Sequence, residues 1–202
     1  SSGSVYGLKK EKKVVEDLSL VPISTYNKTK MVAEKVLSFY SDKLKIFSIR
    51  PATVCGLSPR MRLDVSVNML TYQALKYRKM NIHGGEQVRP NIHIQDLTDV
   101  FIHFMINDNI NSGVYNAGFE NLSIINIAKM IKEKIDCEIN ILPINDIRSY
   151  RLDSSKLIAT GFDPKYSVKN AINEIIDKFN TNEFLDDDSC YTVKRMKQLN
   201  IH

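Results

Sequence analysis

"STYNKTKMVAEKVLSFY", residues 24–40, reads as one amphipathic helix. Ser24 or Thr25 can cap it, because a short hydroxyl there accepts from a free N–H of the first turn. Met31, Val32, Val36, Leu37 and Phe39 then recur at helical spacing through Tyr40. "KIFSIRP" (45–51) follows as a short β-rich run ended by a proline, which predicts a strand. The same alternation continues downstream. A helix is expected from about Asp64 to Lys79, with Val65, Met69, Tyr72 and Leu75 on one face. "GGEQVRPNIHIQD" (84–96) reads as turn, short strand and a cap at Asp96, before a helix from Leu97 to Ile106. "GVYNAG" (113–118) is a strand between glycines. Ser123 caps a helix to about Ile135, and "EINILP" (138–143) is a strand. Ser167 caps "SVKNAINEIIDKF" (167–179), and the last dozen residues form a loose helix. Strands alternating with helices predict an α/β fold.

The 202 residues are 43% hydrophobic and 25% charged, enough for the core of one domain or one and a half. No apolar run approaches the roughly 20 residues of a membrane span. Cys55, Cys137 and Cys190 have the spacing of neither a disulfide framework nor a zinc site. A cytoplasmic setting and no metal are therefore expected. The net charge of +5 raises the question of nucleic acid. The basic residues are scattered and no aromatics interleave with them. That pattern predicts an ordinary solvated surface with room for an anionic metabolite, and no nucleic-acid partner.

Tyr26 stands four residues before Lys30, one helical turn away, so both share a face. A free phenol, with a pKa of about 10, is a poor base at neutral pH. A nearby ammonium favours its phenolate, which can then take or return a hydroxyl proton. The spacing alone decides nothing, since Tyr6/Lys10 and Tyr72/Lys76 share it. Tyr6/Lys10 spans a turn and loop. Tyr72/Lys76 reads as a core tyrosine beside a surface lysine. Such a pair holds no hydride acceptor, so a cofactor is implied.

"SSGSVYG" (1–7) followed by "STYNKTK" resembles the extended short-chain dehydrogenase/reductases, specifically the NAD-dependent nucleotide-sugar epimerases and dehydratases. "IRPATVCGLSPR" (49–60), "GGEQVRPNIHIQDLTDVF" (84–101), "GVYNAG" and "RSYRLDSSKLIATGFDP" (148–164) resemble later family segments in the correct order. The resemblance implies a catalytic Ser2, Tyr26 and Lys30. It puts Ser1, Tyr26, Lys30 and Pro51 against NAD, with NADP left open. It puts Ser4, Thr53, Asn68, Arg89 and Arg148 on a nucleotide-diphosphate sugar. Thr53 stands where the family usually has Asn.

The implied architecture is the C-terminal part of a Rossmann-like doubly wound parallel sheet with a smaller α/β substrate-binding domain. Residues 1–55, with 89–118 returning, would form the cofactor domain; 56–88 and 119–202 would bind substrate. The family's glycine-rich phosphate turn and first strands, on the order of 100 residues, have no counterpart here. The chain is accordingly expected to be a piece of a larger enzyme, homodimeric when full length. Ser2-Gly3-Ser4 carries none of the carboxylates that dehydratases resemble at this point, which disfavours elimination. The implied activity is C4 epimerisation: oxidation by NAD, rotation of the keto-sugar and re-reduction, in the supply of surface-polysaccharide sugars. A 4-keto-sugar reductase, a 4,6-dehydratase and a non-catalytic binding member remain alternatives.

Overall fold

The computed structural model describes residues 1–143, 149–181 and 184–200. In chain order the elements are α1 (Thr25–Ser38), β1 (Phe47–Pro51), β2 (Thr53–Cys55), α2 (Ser66–Tyr77), β3 (Lys79–His83) and β4 (Val88–His93). These are followed by α3 (Ile94–Ile106), β5 (Gly113–Ala117), β6 (Glu120–Ser123) and α4 (Ile124–Lys132). The last are β7 (Glu138–Leu142), α5 (Ser155–Ile158), α6 (Val168–Asn180) and α7 (Thr192–Gln198). The α/β class expected from the alternation is what forms.

The chain divides into two compact units. The first holds Ser1–Val54, Gln87–Leu122 and Ile147–Lys165. Within it β1 and β5 pair in parallel, Phe47 opposite Gly113 and Pro51 opposite Ala117. A second sheet has the order β2–β4–β6. Val5, Tyr6, Ile49, Val100, Leu152 and Phe162 are buried together at its core. At the end of β1 the backbones close tightly. A Cβ on Gly118 would sit 2.6 Å from the Cβ of Ala52, so only glycine fits. The third segment departs from the division read from sequence, which gave all of 119–202 to the substrate region. Its backbone is tied to Val14: the Val14 N–H donates to the Arg151 carbonyl at 2.8 Å, and the Asp153 N–H to the Val14 carbonyl at 3.0 Å. Leu152 and Leu157 are buried as a result.

The second unit holds Cys55–Glu86, Ser123–Asp146 and Tyr166–His202. β3 and β7 pair in parallel, Lys79 opposite Glu138 and His83 opposite Leu142. Met61, Leu63, Tyr72, Ile175 and Cys190 form a buried cluster, and the Tyr72 ring stacks on Phe184 at 5.3 Å. β3 has no counterpart in the sequence reading, whose helix ends near Lys79. It is a strand because Met80 and Ile82 alternate inward between exposed neighbours. The cap of α3 also differs. His93 is the cap residue, its Nδ1 accepting from the Gln95 N–H at 3.1 Å. Asp96 is instead buried, accepting from the Lys165 N–H at 2.9 Å.

Candidate active site

A single 3₁₀ turn, Gly3–Tyr6, presents the serines at the start of the chain. The Ser2 Oγ caps it, accepting from the Ser4 N–H at 3.2 Å. Gly3 lets it lie against β1, since a Cβ there would reach 3.0 Å from the Pro51 carbonyl oxygen. Gly7 ends the turn at φ +70°, and a Cβ there would fall 2.0 Å from the Val21 carbonyl. The loop 8–23 thus returns directly onto the turn and delivers Ser24, whose Oγ accepts from the Asn27 N–H at 3.2 Å to cap α1. Ser2 Oγ lies 2.7 Å from Ser4 Oγ. The Ser4 hydroxyl donates to Asn27 Oδ1 at 2.7 Å. The serine turn is therefore joined to the first turn of the helix that carries Tyr26.

The three Tyr-x-x-x-Lys pairs separate by what their hydroxyls do. The Tyr6 OH donates to Asn116 Oδ1 and accepts from Arg50, both at 2.7 Å. Burial pushes its phenol up. The Tyr72 OH is held by Asp186 and by Lys76, whose Nζ is 2.5 Å away. Burial first, then the Asp186 carboxylate, pushes that phenol up to about 12. Tyr72 and Lys76 are thus partners in an ion cluster that fastens the 184–191 loop, more than a core tyrosine beside a surface lysine. Tyr26 alone is open: it is 56% exposed, and its hydroxyl has no hydrogen-bond partner among the described residues. Lys30 Nζ lies 5.4 Å from the centre of its ring and is equally uncommitted.

α1 rests on few buried side chains, Asn27 and Glu34. Arg50 on β1 grips Glu34 through two bonds, Nε to Oε1 at 2.8 Å and Nη2 to Oε2 at 2.7 Å. Burial alone would raise the Glu34 carboxyl. The Arg50 guanidinium, together with Ser1, outweighs it and holds the group below its ordinary value. Arg50 also lies over the Tyr6 ring at 4.8 Å, so one cation joins the serine turn, β1 and α1.

Beside this assembly, within the first unit, lies a cavity of about 150 Å³. Ser4, Asn27, Thr53, Arg89 and Tyr150 give it polar walls, and Gly7 and Ile23 complete it. It is smaller than the roughly 300–1,000 Å³ of a whole-ligand site, so it suits one end of a ligand. Of the residues expected to bind substrate, Ser4, Thr53 and Arg89 meet here. Asn68 belongs to the second unit, where its Oδ1 accepts from the Gly56 N–H at 3.0 Å and its Nδ2 donates to the Arg62 carbonyl at 3.0 Å. Ser1 is exposed and Pro51 half-buried at the end of β1. Arg148 lies outside the described residues. Among the described residues no group of His, Cys, Asp and Glu could hold a metal ion, and no helix is long and apolar enough to cross a membrane.

Asn27, Glu34, Arg50 and Tyr150 escaped the sequence reading. A signal existed for two of them. Asn27 and Glu34 sit seven residues apart, on the face of α1 that also carries Lys30 and Met31. Polar residues on a packed face imply partners.

A family model described as "NAD dependent epimerase/dehydratase family" matches residues 1–118. An uncharacterized UDP-glucose epimerase of Bacillus subtilis (strain 168) is 33% identical over 141 residues, 66% of this chain and 42% of the relative. A UDP-glucose 4-epimerase of Lactobacillus helveticus is 30% identical over 156 residues, 65% of this chain and 47% of the relative. A solved UDP-glucuronic acid 4-epimerase from Bacillus cereus, in complex with UDP-glucuronic acid and NAD, superposes with a TM-score of 0.78. That match has 28% identity over 90% of this chain and 60% of the solved one. The chain thus spans about half the length of the curated relatives it matches.

Proposed function

The chain belongs to the NAD dependent epimerase/dehydratase family, and we propose that it carries the acid–base half of a nucleotide-sugar 4-epimerase active site. The observation that carries this reading is the open Tyr26 hydroxyl. Of three tyrosines at the same spacing from a lysine, Tyr26 alone keeps its OH and its lysine free of other bonds among the described residues. A proton-transferring group needs that freedom, because a hydroxyl held on both sides cannot approach a substrate.

The residues present fit NAD in part. Tyr26 and Lys30 offer two uncommitted polar groups on one helix face, suited to the hydroxyls of a ribose. Gly84 and Gly85, which lead into β4 rather than a helix, make no pyrophosphate cradle. NAD, when bound, supplies reversible acceptance of a hydride. The chain's own residues do the rest. Tyr26 takes the proton of the sugar hydroxyl and later returns one to the carbonyl oxygen. Lys30, with its ammonium beside the ring, steadies the negative charge left on the phenol oxygen. Ser2 and Ser4 orient the reacting end of the sugar. Arg89, at the cavity wall, suits the diphosphate through its planar fork of donors. Among the described residues the cavity wall carries no carboxylate, which favours epimerisation over water elimination.

The test is turnover of UDP-hexoses with added NAD, using the chain with any residues that flank it in the full protein. Tyr26→Phe is expected to lower kcat by roughly 10²–10⁴, the usual contribution of general acid–base catalysis. Wild-type turnover in that variant would refute the role assigned to Tyr26.

A further inference from the structure

We infer that Asn27 is a substrate-specificity residue: its side-chain amide donates to an oxygen of the sugar in the cavity and fixes the polarity of the serine pair behind it. This rests on the functional reading above and deepens it.

The argument is a count of protons. Each serine hydroxyl has one proton to give. Ser4 gives its proton to Asn27 Oδ1, at 2.7 Å. The 2.7 Å contact between Ser2 Oγ and Ser4 Oγ must then use the Ser2 proton. Ser2 meanwhile accepts from the Ser4 N–H. The chain Ser2 to Ser4 to Asn27 therefore runs in one direction, and neither serine keeps a proton for a ligand. Ser2 and Ser4 can only accept. Asn27 is the reverse: its Oδ1 is used and its two Nδ2 hydrogens have no bond among the described residues. The residue is 5% exposed and lines the cavity together with Ser4. Nδ2 is not among the buried atoms left without a partner, so it keeps contact with solvent through the cavity, and a ligand oxygen entering there takes one of its hydrogens in place of water. This end of the cavity therefore favours a sugar that presents an acceptor oxygen to Asn27 and a hydroxyl proton to Ser4.

Asn27→Asp isolates the donor. It keeps an oxygen for the Ser4 proton and removes both N–H groups, and a carboxylate in the first turn of a helix is tolerated by the helix dipole. The experiment measures kcat and KM for UDP-hexose and for its set of monodeoxy analogues in wild type and variant, with melting temperatures as a control for folding. The expected result is a KM raised about tenfold with kcat within about threefold, the size of one hydrogen bond. One deoxy analogue should lose about tenfold in the wild type and nothing further in the variant, because both changes remove the same bond. The added negative charge affects every analogue alike, so it cancels from this comparison. Losses that multiply at every sugar position would overturn the inference. Asn27→Ala, run through the same cycle, gives the same coupling should Asn27→Asp fail to fold. A wild type that turns over nucleotide sugars while neither variant shows coupling sinks this inference alone; a wild type with no such turnover sinks the functional reading with it.

Discussion

Replacing Arg50 with methionine should unfold the protein far more readily than most surface changes. Arg50 is 4% exposed and Glu34 is 9% exposed, and their two hydrogen bonds satisfy both ions away from water. Removing one ion leaves the other buried without a counter-charge, a cost of about 3–5 kcal/mol. At the usual 2–4 °C per kcal/mol for a chain of this length, the melting temperature falls by roughly 6–20 °C. Urea titration followed by circular dichroism measures the free energy directly. Glu34→Gln should cost a similar amount, since it strands Arg50. The double variant Glu34→Gln with Arg50→Met should cost much less than the sum, because the second change removes the stranded charge. Acid titration gives an independent reading. The folded Glu34 carboxyl lies below its ordinary value. Its contribution is therefore full above the unfolded value of about 4.3 and is lost as the pH falls through the folded value. The acid limb of the stability curve should be shallower in Glu34→Gln than in wild type. Single variants within 1 kcal/mol of wild type, or strictly additive costs, would refute the claim that this pair anchors α1.

Gly118→Ala should destabilise by about 1–3 kcal/mol through overpacking, since the new methyl meets Ala52 at 2.6 Å; Ala52→Gly in the same chain should restore much of the loss in a thermal melt. Gly7→Ala should cost on the order of 3 kcal/mol, from a left-handed φ and a clash with the Val21 carbonyl, and should raise KM by displacing the serine turn. In ultraviolet titration Tyr72 should ionise at about 12. Asp186→Asn should bring it part of the way back toward 10, the burial that is the larger cause remaining.

The elements legible in sequence were those that signal locally. Ser24, Ser123 and Ser167 each cap a helix as read, because a cap bond reaches only three residues. The short strands β2, β3 and β6 carry no such signal. β3 is a strand because β7 pairs with it across 59 residues, information that no local window contains. The site divides in the same way. Tyr26, Lys30 and Ser2 are proposed from their order along the chain. What distinguishes Tyr26 from Tyr6 and Tyr72 is that its hydroxyl has no partner among the described residues, while the partners of the other two lie 110 and 114 residues away. Asn27 was passed over because an asparagine in a first helical turn is unremarkable until its burial is known.

The buried bond from Tyr6 to Asn116 bears on how the molecule assembles in time. It closes a loop of 110 residues, and Arg50 reaches the same hydroxyl across 44. Closing long loops costs entropy that native contacts repay only once made, so long-range pairings slow folding. The serine turn cannot be seated before β5 has formed alongside β1, although the helix bearing Tyr26 is complete by residue 38. During synthesis the helix bearing Tyr26 is thus made before Asn116, the partner that ties the serine turn to β5. A change at Asn116 should therefore slow refolding, read as a later recovery of the native circular dichroism signal.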